Sequence, residues 1–178
     1  MRTDVLHLPA LMLMAAGMSV AHSADPPPKF KITTKRDTDK CVVTVEKQST
    51  IFSLHSPLGI SQATIERTAD RWPENVGLRL HLNGLERFQI QSGETSLNAS
   101  VSSQKPHTPV RLWKNTEEDK PLDSTSPLWM EIRSLGSDGT PATEIPLKNG
   151  YFEMQLPKTL LDSNPQSITV SWIDFYRT

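Results

Sequence analysis

Period-two alternation runs through nearly every readable segment of this chain from Lys29 onward, and it commits the chain to strands. Val76, Leu78, Leu80 and Leu82 alternate strictly with Gly77, Arg79, His81 and Asn83. Phe30 and Ile32 alternate with Lys29 and Lys31, and Val43 and Val45 with Thr44 and Glu46. Ile51 to His55, Glu86 to Ile90, Leu97 to Val101 and Val110 to Trp113 read as further strands. So do Leu128 to Arg133, Tyr151 to Leu156 and Ile168 to Tyr176. The stops are turn residues: Pro57 and Gly59, Gly84, Ser92-Gly93, Ser137-Asp138-Gly139, Asn149-Gly150 and Pro157. Proline outnumbers glycine 14 to 8, which suits short extended segments better than long helices.

Two stretches could be helical. Ser61 to Trp72 has partial helical spacing, but the β-branched Thr64 and Ile65 favour a strand over Ala63 to Arg67. Lys158 to Asp162 can form one helical turn behind Pro157. Asn115 to Ser126 is charged and proline-broken, an exposed loop. About ten short strands separated by turns define an all-β chain. The expected fold is a single-domain antiparallel β-sandwich, jelly-roll or immunoglobulin-like, spanning 29–178.

The first 23 residues read as a secretory signal peptide. Arg2 supplies the positive start, Val5 to Val20 is mostly apolar, and Ala21-His22-Ser23 places cleavage before Ala24. Its uninterrupted apolar core, Ala10 to Val20, is too short to span a bilayer. No transmembrane span is therefore expected once the leader is cleaved. Residues 24–28, with Pro26-Pro27-Pro28, form a stiff extended leader. The expected destination is the periplasm or the cell exterior.

Charge and cysteine content exclude several classes. Nineteen Lys and Arg balance 20 Asp and Glu, so no nucleic-acid partner is expected. One cysteine allows no intrachain disulfide, Cys-rich zinc site or iron–sulfur cluster. Cys41 lies in a strand-like run with no histidine near it in sequence, and reads as a buried small hydrophobe. No nucleophile elbow, phosphate loop, zinc helix motif or dinucleotide fingerprint is present. His55, His81 and His107 show no ligand spacing, and His81 falls on the polar side of its strand. The acids at Asp119 to Asp123 and at Asp138 lack calcium-loop spacing. No catalytic residue, metal or cofactor is assigned.

Trp72-Pro73-Glu74-Asn75-Val76-Gly77-Leu78-Arg79-Leu80, Gly84-Leu85-Glu86, Gly150-Tyr151-Phe152-Glu153 and Trp172-Ile173-Asp174-Phe175-Tyr176-Arg177 span most of the chain after the leader. Together these phrases resemble small exported proteins of planctomycete-type bacteria. The resemblance implies export and a bacterial source, and carries over no activity and no site residue.

One pattern suggests chemistry. Trp129 and Glu131, Tyr151 and Glu153, and Trp172 and Asp174 each place an aromatic ring two residues before a carboxylate. On a strand both members of such a pair point to one face. If the three strands were neighbours, a row of rings would lie beside a row of acids. That combination suits a sugar, whose C–H face stacks on rings while its hydroxyls bond carboxylates. The plain alternative is cross-strand packing, with Asp174 held by a partner such as Arg79, Arg133 or Arg177. The expected function is an exported non-catalytic binding module for carbohydrate or another envelope component, possible partners including an envelope protein. The alternatives are a structural or assembly protein of the envelope and, third, a small hydrolase using the carboxylates.

Overall fold

A computed structural model describes residues 30–46, 48–57, 60–82, 85–100, 110–136, 138–141 and 150–174. The expected signal peptide (1–23), leader (24–28), Val101, His107, Asn149, Phe175 and Tyr176 lie outside the described residues.

Eleven strands and one short helix are described. They are β1 (Phe30–Thr34), β2 (Lys40–Glu46), β3 (Ser49–His55), β4 (Ile60–Arg67), β5 (Asn75–Leu82) and β6 (Leu85–Ser92). There follow β7 (Thr95–Ser100), β8 (Arg111–Lys114), β9 (Ile132–Leu135), β10 (Gly150–Gln155), α1 (Lys158–Asp162) and β11 (Ser167–Asp174). One sheet has six strands in the order β1-β4-β11-β6-β7-β8, the other five in the order β2-β3-β5-β10-β9. The fold is an all-β sandwich, as the alternation requires. One pair departs from the antiparallel expectation: β3 runs parallel to β5, because β4 crosses to the other sheet between them.

The inner faces of the two sheets close on one core. Phe52, Leu54, Val76, Leu78, Leu80, Phe152 and Met154 come from the five-stranded sheet. Ala63, Ile65, Phe88, Ile90, Leu97, Ile168, Val170 and Trp172 come from the six-stranded sheet. Trp72 plugs one end, with its indole N–H donating to the Pro165 carbonyl at 2.7 Å. Leu160 and Leu161 of α1 are buried in the same cluster, which explains why one helical turn survives behind Pro157.

Among the described stops, Gly93 and Asp138 behave as their chemistry dictates. Gly93 takes φ +56° in the β6–β7 hairpin. Asp123 and Asp138 each accept hydrogen bonds from the N–H and hydroxyl of the threonine two residues on, Thr125 and Thr140. These bonds hold both carboxyls below their ordinary pKa, and they explain the acids as turn formers.

The expected strand over Leu128 to Arg133 is corrected. Only Ile132–Leu135 pairs as β9, and Trp129 lies in the loop before it. Ser126 N–H donates to the Asp123 carbonyl and Trp129 N–H to the Ser126 carbonyl, while Leu128 N–H bonds the Ser126 hydroxyl. Those donors are committed to local turns, and Pro127 has none to give.

Candidate functional site

Strand parity decides which side chains each sheet shows to solvent. In β10, Phe152 and Met154 point into the core, so Tyr151, Glu153 and Gln155 point outward. In β5 the same logic turns Gly77, Arg79 and His81 outward, and in β3 Ile51, Ser53 and His55. Register then sets the neighbours. Glu153 lies opposite Arg79 on one side and Arg133 on the other, and Tyr151 lies opposite His81.

The outer face of the five-stranded sheet therefore carries two adjacent rows. In the first, Arg79 Nε donates to Glu153 Oε2 at 2.6 Å and the same guanidinium lies 3.8 Å from Glu46 Oε1. In the second, the Tyr151 and His81 ring centroids are 5.5 Å apart, and those of His81 and His55 are 5.6 Å apart. Arg79 joins the rows, its guanidinium carbon 5.6 Å from the Tyr151 ring centroid. Beyond Glu153, Arg133 donates to Glu131 at 3.3 Å.

Two glycines shape this surface. A Cβ at Gly77 would stand 3.2 Å from Ile51 Cγ1, so the bare glycine lets Ile51 lean across the sheet. Gly77 and Ile51 thereby floor a hollow of about 310 Å³, walled by Glu46, Arg79, Glu131 and Glu153. At the other end, Gly139 has φ +82°, and a Cβ there would come within 3.0 Å of the Tyr151 hydroxyl. Only glycine lets that turn close on the end of the ring row.

The electrostatics follow from partial burial. Burial opposes the charge of Arg79, but the hydrogen bond and charge of Glu153, helped by Tyr151 and Glu46, outweigh it and raise the guanidinium pKa. His81 moves the other way. Burial first, then repulsion from His55 and Arg79, hold it below its ordinary value. Cys41 points inward from β2 against the core, and burial pushes its thiol up to about 11, which keeps it protonated and unreactive at neutral pH.

Three of the six residues expected to form a site come together here: Tyr151, Glu153 and Glu131. The other three do not. Trp172 and Asp174 belong to β11 in the other sheet, and Trp172 is 2% exposed in the core. Trp129 is 38% exposed in the loop before β9 and does not line the hollow. The parity of β11 accounts for Trp172: Ile168, Val170 and Trp172 alternate with Thr169 and Ser171, a pattern that already marks the ring as inward. Arg79, His81, His55 and Glu46 were missed as site residues because their meeting depends on sheet order. Among the described residues no cluster of His, Cys, Asp and Glu is arranged to hold a metal.

The opposite outer face is different in kind. Gln62, Ser171, Gln89 and Asn98 form an uncharged row across the six-stranded sheet, with Gln89 donating to Asn98 at 2.8 Å. A hollow of about 340 Å³ lies over it. Phe88, Trp113 and Trp172 border that hollow, and all three are buried.

Comparison with family models, curated proteins and solved structures finds no match to this chain. Among the described residues, no helix is long and apolar enough to cross a membrane.

Proposed function

We propose that the chain is an exported, non-catalytic carbohydrate-binding module, with its site on the outer face of the five-stranded sheet. The supporting observation is the ring row of Tyr151, His81 and His55 running beside the ion-paired row of Glu46, Arg79 and Glu153. Rings accept the C–H face of a sugar, while carboxylates and guanidinium forks bond its hydroxyls. The hollow beside them holds three carboxylates (Glu46, Glu131, Glu153) and two guanidiniums (Arg79, Arg133), a balance that suits a neutral sugar better than a polyanion. Glu153 and Glu131 are each already held by an arginine, so ordering them on binding costs little. The apolar leader before Ala24 supports export to the periplasm or cell exterior.

A glycan array screened with the purified protein, followed by calorimetric titration of the best ligand, tests this reading. Tyr151→Ala should weaken binding about tenfold, from a stacked ring's roughly 0.5–1.5 kcal/mol plus its lost contact area. Gln89→Ala on the opposite face should leave the affinity unchanged. Failure to bind any glycan, or equal losses at Tyr151 and Gln89, would exclude the site.

A further inference from the structure

The four sheet edges are not equally protected. β8 and β9 have four residues each, and both are flanked by a proline bridge, Trp113 to Pro121 and Leu135 to Pro141. Leu122 N–H also occupies the Leu112 carbonyl, closing off β8 further. β1 has five residues and turns Lys31 and Thr33 outward. β2 is the exception. It runs for seven residues, Lys-Cys-Val-Val-Thr-Val-Glu, without proline, and it pairs with β3 in unbroken register. Among the described strands nothing pairs with its other edge. Val42 and Val45 are 59% and 53% exposed. A long, unpaired, largely apolar edge of this kind is a template for another strand.

We infer that this edge is a self-association surface: β2 pairs antiparallel with β2 of a second copy, about a two-fold axis at Val43. Charge selects that occupant and that direction. Lys40 opens the strand and Glu46 ends it, so antiparallel self-pairing sets Lys40 of each copy opposite Glu46 of the other. Parallel pairing would set like beside like. With the axis at Val43, Cys41 faces Val45 and Val42 faces Thr44 across the junction. Each pair lies on one face, as the pleat demands, and both exposed valines gain a partner. A slip of one residue would set outward side chains against inward ones, and a slip of two would part Lys40 from Glu46. The two five-stranded sheets then become one continuous sheet. Sugar binding is not assumed in any of this.

Sedimentation velocity of the purified protein over a concentration series tests the inference, with circular dichroism to confirm folding of each variant. The wild-type chain should sediment as a dimer that dissociates on dilution. Lys40→Glu should weaken the dimer by at least about tenfold, because two symmetry-related pairs turn repulsive. The swap Lys40→Glu with Glu46→Lys should restore it. A protein that stays monomeric at every concentration, because its own N-terminal segment or nothing covers the edge, overturns the inference. So does a dimer indifferent to the Lys40 and Glu46 variants.

Discussion

The Arg79–Glu153 pair is where the outer face of the five-stranded sheet is most open to measurement. Arg79 Nε and Glu153 Oε2 are 2.6 Å apart, with the side chains 24% and 29% exposed. A hydrogen bond to a charged group contributes about 1.5–3 kcal/mol when sheltered. Water reaches about a quarter of each side chain, so part of that is screened, and about 1–2 kcal/mol is the expected loss for Arg79→Met. Methionine keeps an apolar stem of similar length and removes the charged head that pairs with Glu153 and lies over Tyr151. Glu153→Gln should cost less, about 0.5–1 kcal/mol, because the amide oxygen still accepts from Arg79. Urea denaturation of the two single variants and the double variant closes the cycle, with a coupling of about 1 kcal/mol expected. Arg79 is also one of the charges that hold the His81 pKa low, so Arg79→Met should raise it, as read by its imidazole NMR titration. A coupling within about 0.3 kcal/mol of zero, with the His81 titration unmoved, would show the pair to be an ordinary surface contact and refute the reasoning.

Core and pH predictions follow from the same geometry. Leu80 is fully buried between the sheets, and Leu80→Ala should lower unfolding stability by about 2–5 kcal/mol in urea; Trp172→Ala should cost about 3–5 kcal/mol, and a loss under about 1 kcal/mol at either would contradict their placement. His81 has a folded-state pKa below its ordinary value of 6.5, so the unfolded chain takes up the proton first as pH falls. Stability is therefore intact above about pH 6.5 and lost as pH falls from there through the folded pKa, a slope that should flatten in His81→Gln. An identical pH profile in wild type and variant would contradict it.

Much of the fold is written locally. Val76, Leu78 and Leu80 alternate because one side of β5 meets the core. The β4 strand was legible despite its partial helical spacing, since Thr64 and Ile65 prefer the pleat. Trp129 was misplaced for an equally local reason: Leu128 to Arg133 is apolar enough for a strand, yet Ser126 takes its first two donors, the Leu128 and Trp129 N–H groups, into a turn.

The site was only half legible, and the division follows parity and then topology. The aromatic-x-acid spacing places a ring and an acid on one face of a strand without saying which face. In β10 the residues between and beyond them, Phe152 and Met154, belong to the core, so Tyr151 and Glu153 face water. In β11 the residue between them is the exposed Ile173, and the residues that alternate ahead of the ring are Ser171 and Thr169, so the ring itself belongs to the core. That much can be read along each strand. What no single strand records is that β3 lies parallel to β5. This pairing puts Ser53 opposite Arg79 and Leu54 opposite Leu80, and one position further on it brings His55 to His81. Residues 26 apart in sequence, each unremarkable as a lone polar histidine, become one ring row through that pair of strands. An antiparallel β3 would keep every hydrophobic side chain facing inward and carry His55 to the far end of β5, leaving Tyr151 and His81 without the third ring.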